Sequence, residues 1–321
     1  MGVFTHISED DLNLFLKDYN LKEVQSIKGI NEGIQNTNYK IRIDEKDFIL
    51  TIYESINNTN DLDFFLSLMN YLSSTGIKCP TPIKNSSLNY IGNIKSKPAA
   101  ILTFLEGESA LDVKKDHTFE IGKVLAEMHL GTLDFPMKKI NDLSISGWER
   151  LLIKNKNKIN EFETNLFKKI ENQIAKIKHK WPKNLPSGVI HADLFPDNVL
   201  FKKGKVSGLI DFYFSCNDFF IYDLCICINA WCFSDENEFK KDYFENLLKG
   251  YQSIRKLEEE EINAIPVLCH ASSLRFLLTR IDNWNNKNDL DIVNYQDPLE
   301  FLKRLEFHEL NENLGNYNLN G

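Results

Sequence analysis

The first hundred residues change their hydrophobic period several times. Apolar residues recur at helical spacing after Ser8, which can cap the free N–H groups of a first turn. Strict alternation over 38–54, broken by a polar turn at 44–46, predicts an antiparallel hairpin. A second amphipathic helix is predicted from about Asn60, with Gly76 as its stop. Short strands are predicted at 88–91 and 99–105, so this region reads as a small mixed lobe.

Helical patterns dominate the chain after Gly107. A β-rich segment between Val189 and Asp211 interrupts them, and the Asn-rich tail at 311–321 is predicted to fray. Predicted helices cover 119–129, 148–181 as a pair, 219–233, 238–254, 258–284 and 298–310. The change of period predicts an N-lobe at 1–105 and a C-lobe at 106–321.

Composition narrows the class of protein. The chain has 321 residues, 42% of them hydrophobic, and a formal net charge of −8. This length suits two lobes, and the apolar fraction excludes a disordered chain. The acidic balance disfavours nucleic acid as a partner. The N-terminus lacks a secretory signal, and we count no apolar run near the roughly 20 residues that span a bilayer. We therefore expect a cytoplasmic protein without a membrane partner; the sequence does not disclose its oligomeric state.

The segment His191-Ala-Asp193-Leu-Phe-Pro-Asp-Asn198, followed by Asp211-Phe212, carries the most specific chemistry. Apolar stretches on either side of a Lys-Lys-Gly-Lys turn predict a hairpin that brings Asn198 and Asp211 to one end, beside the loop carrying Asp193. An amide and a carboxylate placed together suit Mg²⁺, which completes its shell with water and phosphate oxygens.

Phosphoryl transfer needs these groups and few others. Asp193 would take the proton of the attacking hydroxyl, while Asn198 and Asp211 would hold Mg²⁺ against the phosphates of ATP. Each residue alone could serve a turn or a cap, but their joint spacing favours a kinase-type site. His191 is predicted to brace the loop by hydrogen bonding. His129 is predicted to be structural. The six cysteines are too sparse for a disulfide framework, and Cys225, Cys227 and Cys232 are predicted to be small core residues rather than a metal site.

These motifs resemble the aminoglycoside phosphotransferase and choline kinase branch of the protein-kinase-like fold. The branch-level match lies in 191–198, 211–212 and 222–224. Along nearly its whole length the chain is similar to the bacterial homoserine kinases of that branch, through 33–39, 48–54, 97–103, 125–130, 134–136 and 273–280 with Trp284. The resemblance implies an α+β, bilobal fold, with a small N-lobe carrying an antiparallel sheet, a larger and mostly helical C-lobe, and ATP in the cleft.

The resemblance also assigns the nucleotide side. The segment 33–39 takes the place of the glycine-rich loop, with Gly33, Asn36 and Asn38 as candidate phosphate contacts. Thr103 and Leu105 belong to the segment that would offer backbone groups to adenine. Thr51 stands where the phosphate-binding Lys is usual, and Lys40 on the paired strand is a candidate substitute.

Departures from the protein kinases indicate a small acceptor. Ala192 replaces the Arg that reads a phosphorylated activation loop, Tyr213 replaces the Gly that lets the Asp-Phe-Gly segment flip, and no Ala-Pro-Glu follows. The acceptor implied by the resemblance is L-homoserine, whose carboxylate calls for an Arg. We hypothesise that Arg275 or Arg280 holds it; the alternative is that each pairs with a structural Asp such as Asp223, or lies at the surface.

Three functions follow from these observations. The first is ATP-dependent phosphorylation of L-homoserine to O-phospho-L-homoserine, on the route to threonine. The second is the same chemistry on another small alcohol, such as choline, an aminoglycoside or a sugar. The third is a catalytically dead nucleotide-binding module, which Thr51 keeps open and which the joint presence of Asp193, Asn198 and Asp211 argues against.

Overall fold

An antiparallel sheet with one helix packed on it forms the N-terminal part of the fold. The computed structural model describes residues 3–30, 36–54, 59–110, 112–285 and 296–317. The elements of this part are α1 (Glu9–Lys17), β1 (Ser26–Gly29), β2 (Asn36–Ile43), β3 (Lys46–Tyr53), α2 (Thr59–Ser74), β4 (Gly92–Ile94) and β5 (Lys97–Thr103). The strands lie in the order β1-β2-β3-β5-β4, with every neighbouring pair antiparallel.

Local sequence signals account for the first elements. Ser8 and Asp11 form a capping box, in which the Ser8 hydroxyl accepts a hydrogen bond from the Asp11 N–H at 3.1 Å. The hairpin between β2 and β3 closes on Asp44 and Glu45, both at positive φ, as a two-residue type I′ turn requires. Gly76, at φ +93°, follows the end of α2. The predicted helices and the hairpin are confirmed.

The predicted strand at 88–91 is wrong. Leu88 has φ +63° and is 73% exposed, and the edge strand begins instead at Gly92. A backbone at positive φ cannot continue a β-ladder. The first strand, β1, was not predicted, because its four residues alternate only between exposed and half-buried positions and carry a weak apolar signal.

The C-terminal part is mostly helical. Its elements are β6 (Glu108–Ser109), α3 (Lys115–Gly131), α4 (Ile145–Lys154), α5 (Leu166–Lys180), β7 (Ser187–Ile190), β8 (Val199–Lys202), β9 (Lys205–Leu209), β10 (Cys216–Phe219), α6 (Phe220–Trp231), α7 (Lys241–Gln252), α8 (Glu259–Asn285) and α9 (Pro298–Leu310). Two small antiparallel sheets, β10-β7 and β6-β8-β9, carry the loops between them. The predicted α+β class is confirmed, while the lobe boundary near residue 105 stays a prediction.

Helices α6 and α8 form the centre of this part. Nearly every residue of α6 is buried, including Cys225 and Cys227, which are core residues as predicted, and so is Cys232. The other three cysteines are buried free thiols as well. Among the described helices, α8 alone has the length and hydropathy of a membrane span. Of that apolar window 78% is buried inside the fold, as in the core helix of a globular protein.

The tail was predicted to fray, and for residues 311–317 that prediction is wrong. Tyr317 is 1% exposed, and its hydroxyl lies 2.6 Å from His308 Nδ1. Its ring packs edge-on against Phe239 and at a tilt against Phe244. Burial of one aromatic ring is enough to hold this segment against the helices.

Candidate active site

The loop 191–198 runs from the end of β7 to the start of β8, and a buried carboxylate holds its first turn. Asp223 of α6 accepts the backbone N–H of His191 at 2.7 Å and of Ala192 at 2.8 Å. Its Oδ2 also lies 3.1 Å from His129 Nε2, and the other nitrogen of that ring lies 2.8 Å from the Tyr251 hydroxyl. His129 is therefore a buried, fully partnered histidine, as predicted.

The charge on Asp223 is stabilised by these bonds. Burial alone would raise the pKa of the Asp223 carboxyl, but the hydrogen bond from His129 and those from the loop N–H groups bring it below its usual value. Burial in turn lowers the pKa of the His129 imidazole. The sequence match included Asp223 without assigning it this role, because the bond joins positions more than 30 residues apart.

Carbonyl groups of the same loop are held from other elements. The Trp231 indole donates to the Leu194 carbonyl at 2.7 Å, and Arg275 of α8 donates to the Ala192 carbonyl at 2.5 Å. His191 Nε2 lies 3.0 Å from the Ile210 carbonyl, and burial lowers the pKa of this ring to about 4, so the neutral ring donates to that oxygen. The loop is thus tied to α6, α8 and the end of β9.

Asp193 and Asn198 meet within this loop. The Asn198 amide nitrogen donates to the Asp193 carbonyl at 2.8 Å and to its carboxylate at 3.1 Å. The amide oxygen of Asn198 is thereby left for another partner. Ala192, immediately before Asp193, has φ +65°, and Asp211 has φ +63°. Left-handed backbone at residues other than Gly is disfavoured and is often found at functional sites.

The hairpin of β8 and β9 brings Asp211 beside this loop, as predicted. The Ile210 N–H donates to the Asn198 carbonyl at 3.0 Å, and Asp211 is open to solvent on one side. Burial and the nearby charge of Asp211 raise the pKa of Asp193 to about 8. Protein atoms packed around the Asp211 carboxyl remove part of its hydration, and together with the charge of Asp197 they raise its pKa to about 6. Three carboxyl groups therefore lie close enough to oppose one another's ionisation, an arrangement that favours a bound cation.

The donor set fits Mg²⁺. An amide oxygen from Asn198 and a carboxylate from Asp211 are hard ligands, and the adjacent carboxylates add negative potential. Across the described ranges, no group of three or more His, Cys, Asp or Glu side chains forms a metal cage. A site with two protein ligands is the kind in which phosphate and water oxygens complete the Mg²⁺ shell.

Part of the region predicted to bind the nucleotide lies among the described residues. Gly33 lies outside the described residues. Asn36 begins β2 and is 6% exposed, while Asn38 accepts the Thr51 hydroxyl at 2.8 Å. Lys40 pairs with Asp47 at 2.8 Å, and its Nζ lies 4.0 Å from the centroid of the Phe104 ring. The Thr51 hydroxyl is thus hydrogen-bonded to Asn38, and the Lys40 side chain points toward Phe104, in the segment after β5.

The segment after β5 has one anchored end. Thr103 exchanges two hydrogen bonds with Thr81, its hydroxyl accepting at 2.9 Å and its N–H donating at 3.0 Å. The Leu105 side chain packs against Gly208, where an added Cβ would come within 2.6 Å of Leu105 Cδ1. Within the described chain, Leu105 makes no backbone–backbone hydrogen bond outside the regular elements, which suits a segment that offers backbone groups to a base.

Tyr213, two residues after Asp211, links this part of the chain to β3 and to α2. Its hydroxyl lies 3.1 Å from the hydroxyl of Tyr53, and its ring packs edge-on against Phe65 at 5.7 Å between centroids. A residue fixed in this way holds the segment after Asp211 in one position. The prediction that Tyr213 replaces a flexible Gly agrees with this packing.

The two arginines proposed for the substrate carboxylate lie in different surroundings. Arg275 is 1% exposed and binds the Ala192 carbonyl rather than Asp223. Arg280 is 8% exposed, pairs with Glu300 and donates to the Asp297 carbonyl at 3.2 Å. The hypothesis that one of them holds a substrate carboxylate stays a prediction.

Comparison with known sequences places this site in a family. The family described as "Phosphotransferase enzyme family" matches residues 26–257. A homoserine kinase of Chelativorans sp. (strain BNC1) is 45% identical over 308 residues, covering 96% of each chain. A homoserine kinase of Agrobacterium fabrum is 43% identical over 321 residues, covering 100% of each chain.

Solved structures show the same fold at low identity. An amicoumacin kinase in complex with AMP-PNP and Ca²⁺ superposes with a TM-score of 0.70 at 15% identity, covering 95% of this chain and 94% of the other. A choline kinase from Cryptosporidium parvum superposes with a TM-score of 0.63 at 17% identity, covering 92% and 90%. The predicted protein-kinase-like fold is confirmed.

Proposed function

We propose that this chain, which belongs to the phosphotransferase enzyme family and within it to the homoserine kinases, transfers the γ-phosphoryl group of ATP to the hydroxyl of L-homoserine. Two independent findings agree, and together they carry the proposal. Asp193, Asn198 and Asp211 lie on one loop and hairpin end, and relatives named homoserine kinase match over the whole chain. The product is O-phospho-L-homoserine.

Asp193 acts as the base in this proposal. Its carboxylate is held by the Asn198 amide, while the backbone before it is fixed by Asp223. A carboxylate so fixed can orient the acceptor hydroxyl and take its proton as the oxygen attacks phosphorus. Asn198 and Asp211 would hold Mg²⁺, which, when bound, supplies positive charge to the transferring phosphates. Tyr213 keeps Asp211 in place through its contacts with Tyr53 and Phe65.

The nucleotide contacts rest on the order of the elements. We assign phosphate contacts to Gly33, Asn36 and Asn38, because β2 begins at Asn36 and pairs with the strand carrying Thr51. We assign the adenine contacts to backbone groups between Thr103 and Leu105. Side chains matter little for such a contact, because backbone N–H and C=O groups make the hydrogen bonds.

For the acceptor carboxylate we favour Arg280 of the two arginines. It is the more exposed, and its positive charge opposes the rise that burial causes in the pKa of Asp197 on the catalytic loop. The charge of Arg280 thus acts on the loop that carries Asp193, while its guanidinium pairs with Glu300. Asp197 reaches solvent, although the protein around it still raises the pKa of its carboxyl, and it supplies a counter-charge for the ammonium of an amino acid.

A cationic alcohol such as choline is the second candidate acceptor. The observation in its favour is the group of three aspartates, Asp193, Asp197 and Asp211, which oppose one another's ionisation. Such a group attracts a quaternary ammonium as well as a metal ion. A carboxylate-bearing acceptor is favoured over it by the positive charge of Arg280, which acts on Asp197.

A coupled assay tests the proposal. ATP and Mg²⁺ are supplied with L-homoserine, choline, an aminoglycoside or a sugar, and ADP release is followed for wild type and Asp193→Asn. We expect the highest kcat/KM with L-homoserine and loss of that turnover in the variant. A higher kcat/KM with another alcohol would identify that alcohol as the acceptor instead of L-homoserine. ATP binding without turnover on any alcohol would show that the chain is a nucleotide-binding module.

A further inference from the structure

Arg275 is a buried cation with an unusual set of partners. Its side chain is 1% exposed, and among the residues that the structure describes no carboxylate forms an ion pair with it. Nη1 donates to the Ala192 carbonyl, and Nε is buried without a hydrogen-bond partner. The charge of Arg275 opposes the rise that burial causes in the pKa of Asp193 and of Asp218, so these carboxyl groups act on it without contacting it. Burying a charge without a contacting counter-ion is unfavourable. A residue kept in such a place is expected to do something that an apolar side chain could not.

The bond from Arg275 acts on the peptide that leads to Asp193. The carbonyl oxygen of Ala192 belongs to the same planar unit as the Asp193 N–H, so fixing that oxygen fixes the orientation of the backbone at Asp193. Ala192 itself has φ +65°, which a residue with a Cβ avoids. Asp223 holds the N–H side of Ala192 and Arg275 holds its carbonyl side. The two bonds together keep a disfavoured turn in place.

We propose that Arg275 is a positioning residue, which holds the Ala192 carbonyl and thereby aims the carboxylate of Asp193, and that it does not bind the carboxylate of the acceptor. The inference rests on the proposed role of Asp193 as the base.

The surroundings of Arg275 argue against direct contact with the acceptor. Its guanidinium lies 4.5 Å from the centroid of the Phe276 ring and 5.7 Å from that of Phe214. Rings on these sides and the loop backbone at Nη1 leave 1% of the side chain to solvent. A substrate could reach the guanidinium only by displacing an aromatic ring or the loop itself.

The first test separates positioning from substrate binding. Kinetics of wild type, Arg275→Lys and Arg275→Met are measured with L-homoserine and with 3-amino-1-propanol, which lacks the carboxylate. We expect Arg275→Met to lower kcat at least 30-fold on both alcohols with KM changed less than 3-fold. Arg275→Lys, which keeps a donor for the carbonyl, should recover at least a third of the wild-type kcat. A loss confined to L-homoserine and expressed in KM would overturn the proposal, as would no loss at all.

The second test uses the strained residue. Gly adopts φ +65° without the steric penalty of a Cβ atom, so the loop in Ala192→Gly depends less on the hydrogen bond from Arg275. We expect the fold-loss in kcat caused by Arg275→Met to be at least threefold smaller in the Ala192→Gly background than in wild type. Losses that simply multiply would show that the two residues act independently and would count against the proposal.

The third test does not depend on the acceptor. Hydrogen exchange of the segment 191–198, followed by mass spectrometry at pH 7.5, should be faster in Arg275→Met and near wild type in Arg275→Lys. If Arg275→Met exchanges the segment 191–198 at the wild-type rate, the proposal is overturned. This holds even if the variant has a lower free energy of unfolding. If wild type turns over neither alcohol, the proposed function fails while the exchange result still decides the role of Arg275.

Discussion

Asp223→Asn is the substitution that best tests how the catalytic loop is held. The Asp223 carboxylate is buried and accepts the N–H groups of His191 and Ala192 while meeting His129. Asn has nearly the same shape but offers one acceptor oxygen and one NH₂ group. At least one loop N–H must then face a donor, whichever way the amide is turned.

The cost follows from these bonds. A buried N–H without an acceptor costs about 1–3 kcal/mol, and each of the two remaining bonds loses about 1 kcal/mol when its charged partner becomes neutral. The free energy of unfolding should therefore fall by about 3–5 kcal/mol, within the range seen when a buried charged partner is removed. Because the loop also carries Asp193, kcat should fall about 100-fold, the effect of a displacement near 1 Å.

Urea denaturation at pH 7.5 measures the stability change, and steady-state kinetics measure kcat. Asp218→Asn is a matched control. Asp218 of β10 is partly buried and accepts the Asn141 amide at 2.7 Å and the Phe219 N–H at 2.8 Å, but neither bond reaches the loop 191–198. Burial raises the pKa of its carboxyl, so the relief of an unfavourable charge offsets the loss of one of these bonds in Asn. We expect the control to change stability by about 1 kcal/mol or less. If Asp223→Asn costs no more than the control, the carboxylate does not hold the loop and the reasoning is refuted.

Three further predictions concern the chemistry and the buried histidines. Asp193→Asn should lower kcat by about 10²–10⁴-fold while KM for ATP stays within about 3-fold, because the base acts in the chemical step; equal kcat in steady-state assays would remove Asp193 as the base. Asp211→Ala should abolish the Mg²⁺-dependent part of ATP binding in calorimetric titrations with and without the metal, and retention of that part would place the metal elsewhere. Burial lowers the pKa of His270 from 6.5 to about 4, so the unfolded chain takes up a proton below pH 6.5 while the folded chain does not, and stability is lost as the pH falls. Between pH 7.5 and 5.5 this lowers the free energy of unfolding by about 1.4 kcal/mol. His270→Gln should therefore lose about 1.4 kcal/mol less than wild type in urea denaturation at the two pH values. Identical losses in the two proteins would contradict the lowered pKa of His270.

Local patterns in the sequence are sufficient for several elements and for the reactive residues. The Ser8 cap, the two-residue turn at Asp44 and Glu45, and the stop at Gly76 depend on neighbours within a few positions. The spacing from Asp193 to Asn198 and on to Asp211 is also local, since one short hairpin joins its two ends. Sterics and hydrogen bonds over short separations determine such features, so they can be read from the chain alone.

The tertiary structure alone decided what holds these residues in place. Asp223 and Ala192 are 31 positions apart, and Arg275 and Ala192 are 83 apart. No periodicity connects such pairs, because the packing of α6 and α8 against the loop brings them together. The docking of Tyr317 and the burial of α8 have the same origin. The sequence by itself determined which groups are candidates for phosphoryl transfer, and the folded core decided which hydrogen bonds hold the loop that carries them.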